Sequence, residues 1–220
     1  MIRAVVFDFD GLILDTEMPI FRSWAETYSD HGIELDLRSW QTIVGTDGHD
    51  PAEALERRVE HRPDWQSVLD RRRRRRDELQ ALESIRPGVV AWLDEIQQLA
   101  IPVGIASSSP RAWVEGHLSR LGLIDRFVCI RCCDDVGVAK PSPASYLAVI
   151  EHFGVKGSHA VAIEDSLHGV TAAKQAGMWC IVVPNAITRD MDFSAADLVV
   201  DSLADVALSE ALSQLGSASR

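Results

Sequence analysis

HAVAIEDSLHGVTAAKQAGMWCIVV, residues 159–183, carries a strand, a helix and a second strand within twenty-five positions. His159 to Ile163 ends in a short apolar run of the kind that forms a buried strand. Leu167 to Ala176 has helical spacing and stops at Gly177, the residue type that most easily takes the left-handed conformation closing a helix. Met178 to Val183 is apolar again. A helix between two strands returns the chain to the start of the sheet, so the two strands lie parallel. The unit repeats upstream. Val89 to Leu99 reads as a helix, Ile101 to Ala106 as a strand, Pro110 to Leu121 as a helix closed by Gly122, Phe127 to Ile130 as a strand and Pro143 to Phe153 as a helix. Downstream, a short strand over Leu198 to Val200 and a helix over Leu203 to Leu215 complete the series. Arg3 to Asp8, with Ala4, Val5, Val6 and Phe7 in unbroken succession, is a further buried strand. The expectation is an α/β fold, a mostly parallel sheet with helices on both faces.

One stretch breaks the alternation. From Thr16 to Ser84 the patterns are helical, with no strand signal. Phe21, Trp24, Ala25 and Tyr28 fall at helical spacing between Thr16 and His31. Shorter helices surround Trp40 and Leu55, and a longer one runs from Asp64 to Leu82. Ile85-Arg86-Pro87-Gly88 then ends the block. Residues 16–86 therefore read as an all-helical domain inserted after the first strand, with 1–15 and 87–220 forming the core.

Composition narrows the function. The chain has 220 residues, 46% hydrophobic and 25% charged, ordinary for a globular protein. A net charge of −11 argues against nucleic acid and anionic membranes as partners. The N-terminal apolar run is broken at once by Asp8 and Asp10, unlike a signal peptide or an anchor. No stretch of about 20 apolar residues is present to span a bilayer. Four cysteines, three of them clustered at 129, 132 and 133, read as small residues in and after a strand rather than a metal finger. A reducing, cytoplasmic setting is expected.

Open α/β sheets bind ligands beyond the carboxyl ends of their strands. The residues there are Asp8-Phe9-Asp10-Gly11 after the first strand, Ser107-Ser108-Ser109-Pro110 after the second, Lys140-Pro141-Ser142-Pro143 beyond the third and Glu164-Asp165-Ser166 after the fourth. Carboxylates, hydroxyls and one lysine on a single edge suit a hard cation together with a phosphate. Helix capping explains Ser109, Ser142 and Ser166 equally well, because each precedes a helix start. It does not explain Ser107, Lys140, Asp8, Asp10, Glu164 or Asp165, and carboxylates at the ends of apolar strands are costly unless paired or metal-bound.

These four segments resemble, in order, the four motifs of the haloacid dehalogenase superfamily: D-F-D-G-L-I-L-D-T-E from Asp8, Ser107 in I-A-S-S-S, Lys140 in K-P-S-P, and Glu164-Asp165 in I-E-D-S-L-H-G-V. The inserted helical block is similar to the cap of the subgroup holding β-phosphoglucomutase and sugar-phosphate phosphatases. The resemblance implies a Rossmann-like core, Mg²⁺ as cofactor and a small phosphorylated metabolite as partner. It implies Asp8 as the nucleophile that becomes an aspartyl phosphate, and Asp10 as general acid and then base. Ser107, Ser108 and Lys140 would hold the phosphoryl group. Asp8, the main-chain carbonyl of Asp10, and Asp165 would hold the metal, with Glu164 bound directly or through water. Two carboxylates as close as Asp8 and Asp10 should have pKa values pushed apart.

The aspartate at position 10 points to phosphate esters, since members of the superfamily that cleave other bonds lack it. Where the mutase carries a histidine, an arginine loop and a lysine, this chain has Ile20, Gly45-Thr46-Asp47-Gly48 and Pro110. Hydrolysis is therefore favoured over sugar-phosphate mutation, and a non-catalytic role is disfavoured by the intact aspartates and lysine. Arg71 to Arg76 forms a run in the long helix. Trp65, Leu69, Arg72, Arg76 and Leu79 share one face, which makes Arg72 and Arg76 candidate substrate contacts of the cap. The sequence is silent on oligomeric state and on the leaving group.

Overall fold

The computed structural model describes residues 1–44, 50–59 and 63–217. The chain divides into two compact units, Met1–Leu14 with Ser84–Arg220, and Asp15–Glu83. In chain order the elements are β1 (Ala4–Phe7), α1 (Glu17–Ser29), α2 (Leu37–Val44), α3 (Pro51–Glu56), α4 (Trp65–Leu82), α5 (Val89–Gln98), β2 (Val103–Ala106), α6 (Arg111–Arg120), β3 (Cys129–Arg131), α7 (Cys133–Val136), α8 (Ala144–His152), β4 (Ala160–Glu164), α9 (Leu167–Gln175), β5 (Trp179–Val182), β6 (Leu198–Val199) and α10 (Leu208–Ser217).

The first unit is a six-stranded sheet in the order β3-β2-β1-β4-β5-β6. Every pairing is parallel, with Val5 opposite both Val103 and Val161. Alternate residues of each strand face opposite sides. Val5, Phe7, Val103, Ile105, Val161, Ile163 and Ile181 point to one face, against Trp92, Leu93 and Ile96 of α5 and Val114 and Leu118 of α6. Ala4, Val6, Ala160, Ala162, Cys180 and Val182 point to the other, against Tyr146, Val149 and Ile150 of α8 and Val170 and Ala173 of α9. The sheet side chains of the second face are smaller than those of the first. Burying each of Leu93 and Ile96 contributes about 1.5–3 kcal/mol.

The chain runs outward from β1 to β2 and β3, then crosses back to place β4 on the other side of β1. The connections diverge at β1 and β4, and a crevice opens beyond their carboxyl ends. Asp8 follows β1 there. Glu164 ends β4 and Asp165 follows it.

Element ends differ from the sequence reading where side chains take over the backbone. The last helix begins at Leu208 rather than Leu203. A turn closed by Ser202, which accepts hydrogen bonds from Ala204 N on its hydroxyl and Asp205 N on its carbonyl, occupies the expected first turn. The Glu95 carboxylate then caps α10 through Leu208 N and Ser209 N, both at 3.2 Å. Strand β3 starts two residues late, because a 3-10 turn over Ile124–Arg126 precedes it. The short helix α7 was not expected; Asp135 accepts from Cys132 N at 2.7 Å and starts it. Gly88 opens α5 at φ 84°, and a Cβ there would strike the Leu203 main chain, so glycine is required on two counts.

The second unit holds α1 to α4. The rings of Trp24 and Tyr28 on α1 meet edge to face at 6.3 Å. The Arg72 guanidinium of α4 lies 4.8 Å from the Trp24 ring centroid, a cation–π contact. Arg75 reaches both oxygens of Glu26 on α1, at 2.7 and 3.1 Å. The buried face of α4 is offset from the expected stripe: Val68 and Gln80 are its buried residues, whereas Trp65 and Leu69 are half-buried. Arg75 joins Arg72, Arg76 and Leu79 in partial burial, while Arg71, Arg73 and Arg74 are exposed. No helix among the described residues is long and apolar enough to cross a membrane.

Candidate active site

Asp8, directly after β1, is 7% exposed. Its main-chain N–H donates to Ile163 O on β4 at 2.9 Å, which extends the ladder past the strand end and fixes the backbone beneath the carboxylate. Lys140 arrives from the loop between α7 and α8. Its ammonium donates to Asp8 Oδ1 and, at 2.6 Å, to Glu164 Oε1. The Tyr146 hydroxyl donates to the same Glu164 oxygen at 2.6 Å. The other Glu164 oxygen accepts from Asp165 N at 3.1 Å and from the Ser166 hydroxyl at 3.2 Å. Glu164 is wholly buried and both its oxygens are engaged. Burial holds Asp8 well above the usual carboxylate range; Lys140 opposes this, and Glu164 and Asp10 reinforce it. Burial also raises Tyr146, which therefore acts as a donor.

Asp165, beside this cluster, accepts from Asn185 Nδ2 at 2.6 Å. Asn185 lies in the loop after β5 and is 3% exposed. Its Oδ1 accepts from Ile187 N at 2.8 Å and Thr188 N at 3.1 Å, so only the amide nitrogen faces Asp165. Gly11, at φ 74°, sits against both side chains, and a Cβ there would overlap Asp165 Oδ2 and Asn185 Nδ2. The Arg86 guanidinium donates to the main-chain carbonyls of Gly11 and Pro184, tying the loop after β1 to the loop after β5.

Asp10 has partners of its own, distinct from those of the cluster. Its Oδ2 accepts from the Ser109 hydroxyl at 2.6 Å and, weakly, from the Ser107 hydroxyl at 3.5 Å. Its Oδ1 accepts from Trp113 Nε1 on α6 at 2.9 Å. Ser107 also accepts from Ser109 N at 3.0 Å. Ser108 accepts from Lys140 N at 3.1 Å, joining the loop after β2 to the lysine loop. The three serines that capping could explain have separated. Ser166 caps α9 by accepting from Gly169 N, and Ser142 accepts from Ala144 N at 3.4 Å. Ser109 does neither: α6 begins after Pro110, which leaves the Ser109 hydroxyl for Asp10.

The family profile of haloacid dehalogenase-like hydrolases matches residues 2–177. The chain belongs to that family. The Bacillus subtilis protein named "Putative phosphatase YhcW" is 40% identical over 218 residues, 99% of each chain. CbbY from Rhodobacter sphaeroides, solved with phosphate and, as a variant, with xylulose-(1,5)bisphosphate, is 30% identical, with a TM-score of 0.72 over 96% of this chain and 99% of that one. A hydrolase of the same family from Deinococcus radiodurans, solved with phosphate and sodium, is 26% identical, with a TM-score of 0.83 over 98% and 96%.

In this hydrolase, carboxylate oxygens of Asp8, Glu164 and Asp165 lie within 4.8 Å of one another, all three residues buried. Lys140 brings one positive charge to three carboxylates, so the cluster carries surplus negative charge out of water, a costly arrangement without a further cation. The donors are hard oxygens, and Mg²⁺ suits such a set. Cys132, Asp134 and Asp135 also converge. There both carboxylates already have partners: Asp134 accepts from the main-chain N–H of Arg111 at 3.1 Å at the start of α6, and Asp135 accepts from the Arg111 guanidinium at 2.7 Å.

Four residues of the site escaped the sequence reading. Asn185 follows the fifth strand, where a polar residue after the apolar run Ile181-Val182-Val183 is its signal. Tyr146 and Trp113 read as ordinary helix interior, and Arg86 as part of a helix breaker. Among the proposed cap residues, Arg72 stacks on Trp24, and Arg76 pairs with the neighbouring Asp77 at 2.6 Å. Ile20 is on α1, and Pro110 immediately precedes α6. The Gly45–Gly48 segment lies outside the described residues.

Proposed function

We propose that this hydrolase is a Mg²⁺-dependent phosphatase of a small phosphomonoester, acting through an aspartyl phosphate on Asp8. The observation that carries the reading is the division of labour between two aspartates on one loop. Asp8 lies buried against the Lys140 ammonium, and Asp10 lies in a separate setting of hydroxyl and indole donors. Two carboxylates in different environments suit two roles. An Asp8 oxygen attacks phosphorus and the ester P–O bond breaks. Asp10 gives a proton to the departing oxygen, then takes one from the water that hydrolyses the acyl phosphate. Lys140, with the hydroxyls of Ser107 and Ser108, holds the phosphoryl oxygens and offsets their charge.

Asp8, Asp165 and the main-chain carbonyl of Asp10 would hold Mg²⁺. When bound it supplies charge that offsets the repulsion between an anionic nucleophile and an anionic ester. Glu164, with both oxygens engaged by protein donors, would act through water and by orienting Lys140. The CbbY complexes support a phosphorylated sugar as the substrate class. The choice of leaving group is assigned to the helical unit, and Arg72 and Arg76 remain its candidate contacts.

The test is Asp8→Asn, which leaves volume nearly unchanged and removes the nucleophile. The variant is expected to stay folded and to release no phosphate from p-nitrophenyl phosphate in Mg²⁺. Release within tenfold of wild type would overturn the assignment.

A further inference from the structure

We propose that Trp113 is a positioning residue that selects which oxygen of Asp10 faces the leaving group, with Ser109 as its reversible counterpart. This rests on the reading of Asp10 as general acid and base.

The two contacts differ in kind. An indole N–H can only donate, so the oxygen it holds, Oδ1 at 2.9 Å, is kept as an acceptor. A serine hydroxyl donates or accepts by rotating. Ser109, 2.6 Å from Oδ2, can donate to that oxygen when it is bare and accept from it when it bears a proton. The asymmetry confines the transferable proton to Oδ2. During phosphoryl transfer that proton passes from Oδ2 to the ester oxygen as the P–O bond breaks and the bond from Asp8 to phosphorus forms. Asp10 is left as a carboxylate, with Ser109 donating to it. When water attacks the acyl phosphate, the proton returns to the same oxygen.

Trp113 is placed for this by its own packing. Its ring meets His117, one turn along α6, edge to face with centroids 4.3 Å apart. His117 in turn lies 6.1 Å from Phe9, the residue between the two aspartates. The stack couples the indole to the loop that carries Asp10, so the N–H is held at that oxygen by contacts outside the hydrogen bond. A proton donor must be held close to its productive geometry, since small misplacements cost large factors in rate.

The experiment compares two esters in Trp113→Phe, which keeps an aromatic ring against His117 and removes the N–H. p-Nitrophenolate departs without protonation, whereas a sugar alkoxide needs the acid. Values of kcat/KM are measured for p-nitrophenyl phosphate and for the sugar phosphate that the wild type hydrolyses fastest. General acid catalysis contributes about 10²–10⁴-fold, so misplacing the acid is expected to lower kcat/KM for the sugar ester by at least about tenfold. The loss for the aryl ester is expected to be much smaller. Placed on Asp10→Asn, the same substitution should add nothing for the sugar ester. Ser109→Ala should give the same bias by an independent route, and stands in should Trp113→Phe fail to fold. Equal losses for the two esters, or a further loss in the Asp10→Asn background, would overturn the proposal alone. A wild type that releases no phosphate from either ester would overturn the phosphatase reading as well.

Discussion

Lys140→Met should destabilise the protein strongly, and more so as pH rises. The Lys140 side chain is 4% exposed and holds Asp8 and Glu164 together. Methionine preserves much of the apolar stem and removes the charge. Deleting one partner of a buried ion pair costs about 3–5 kcal/mol, because the other charge stays buried and uncompensated. Two carboxylates depend on this ammonium, which places the cost in the upper part of that range. For a chain of this length each kcal/mol lowers Tm by about 2–4 °C, so a drop of about 8–20 °C is expected.

The sign of the pH dependence follows from Asp8. Its folded pKa is raised by burial, against the lowering by Lys140. The folded state therefore keeps a proton that the unfolded chain releases near its ordinary pKa of about 3.9. Stability falls as pH climbs from that value through the raised one. Removing Lys140 removes the lowering influence and steepens the fall. Melting curves by circular dichroism at pH 5 and pH 8, with excess chelator, give the comparison. The deficit of the variant should be larger at pH 8. A Tm within about 2 °C of wild type at pH 8, or a larger deficit at pH 5, would refute the reasoning.

Phosphate release should disappear in excess chelator, return with Mg²⁺ and be inhibited by Ca²⁺, whose looser coordination suits in-line attack poorly; full activity in chelator would remove the metal from the mechanism. Gly169→Ala should lower stability by about 1–3 kcal/mol, although alanine normally favours a helix, because its Cβ would overlap the buried Glu164 carboxylate; an unchanged or higher Tm would refute the packing argument. With β-glucose 1-phosphate and a trace of the 1,6-bisphosphate, free phosphate should form faster than glucose 6-phosphate, since Ile20 and Pro110 stand where the mutase carries polar or charged groups. The reverse ratio would favour the mutase.

The layered fold was legible because its signals are local. An apolar run of four or five residues, a helical period and a closing glycine each occupy less than one element. Their alternation leaves parallel pairing as the solution, and β4-α9-β5 folds as its sequence reads. Asp8 and Asp165 were legible for the same reason, since they directly follow strands, where a charge after an apolar run stands out; Lys140, nine residues past β3 with α7 between, was legible as the lysine of the K-P-S-P segment. The separate fates of Ser109, Ser142 and Ser166 were not. All three precede helices, and whether such a hydroxyl caps its helix or turns to another loop depends on where α6, α8 and α9 begin after packing.

Tyr146, Trp113, Asn185 and Arg86 belong wholly to the tertiary structure. Each acts on a residue between 18 and 103 positions away in the chain. No local period encodes which face of α8 meets Glu164, or which turn of α6 meets Asp10. Those choices follow from the strand order, because placing β4 beside β1 brings the loops after β1, β2, β4 and β5 to one edge. Local sequence supplies the types of group available there. The packing of helices on the two sheet faces decided which oxygen each donor reaches.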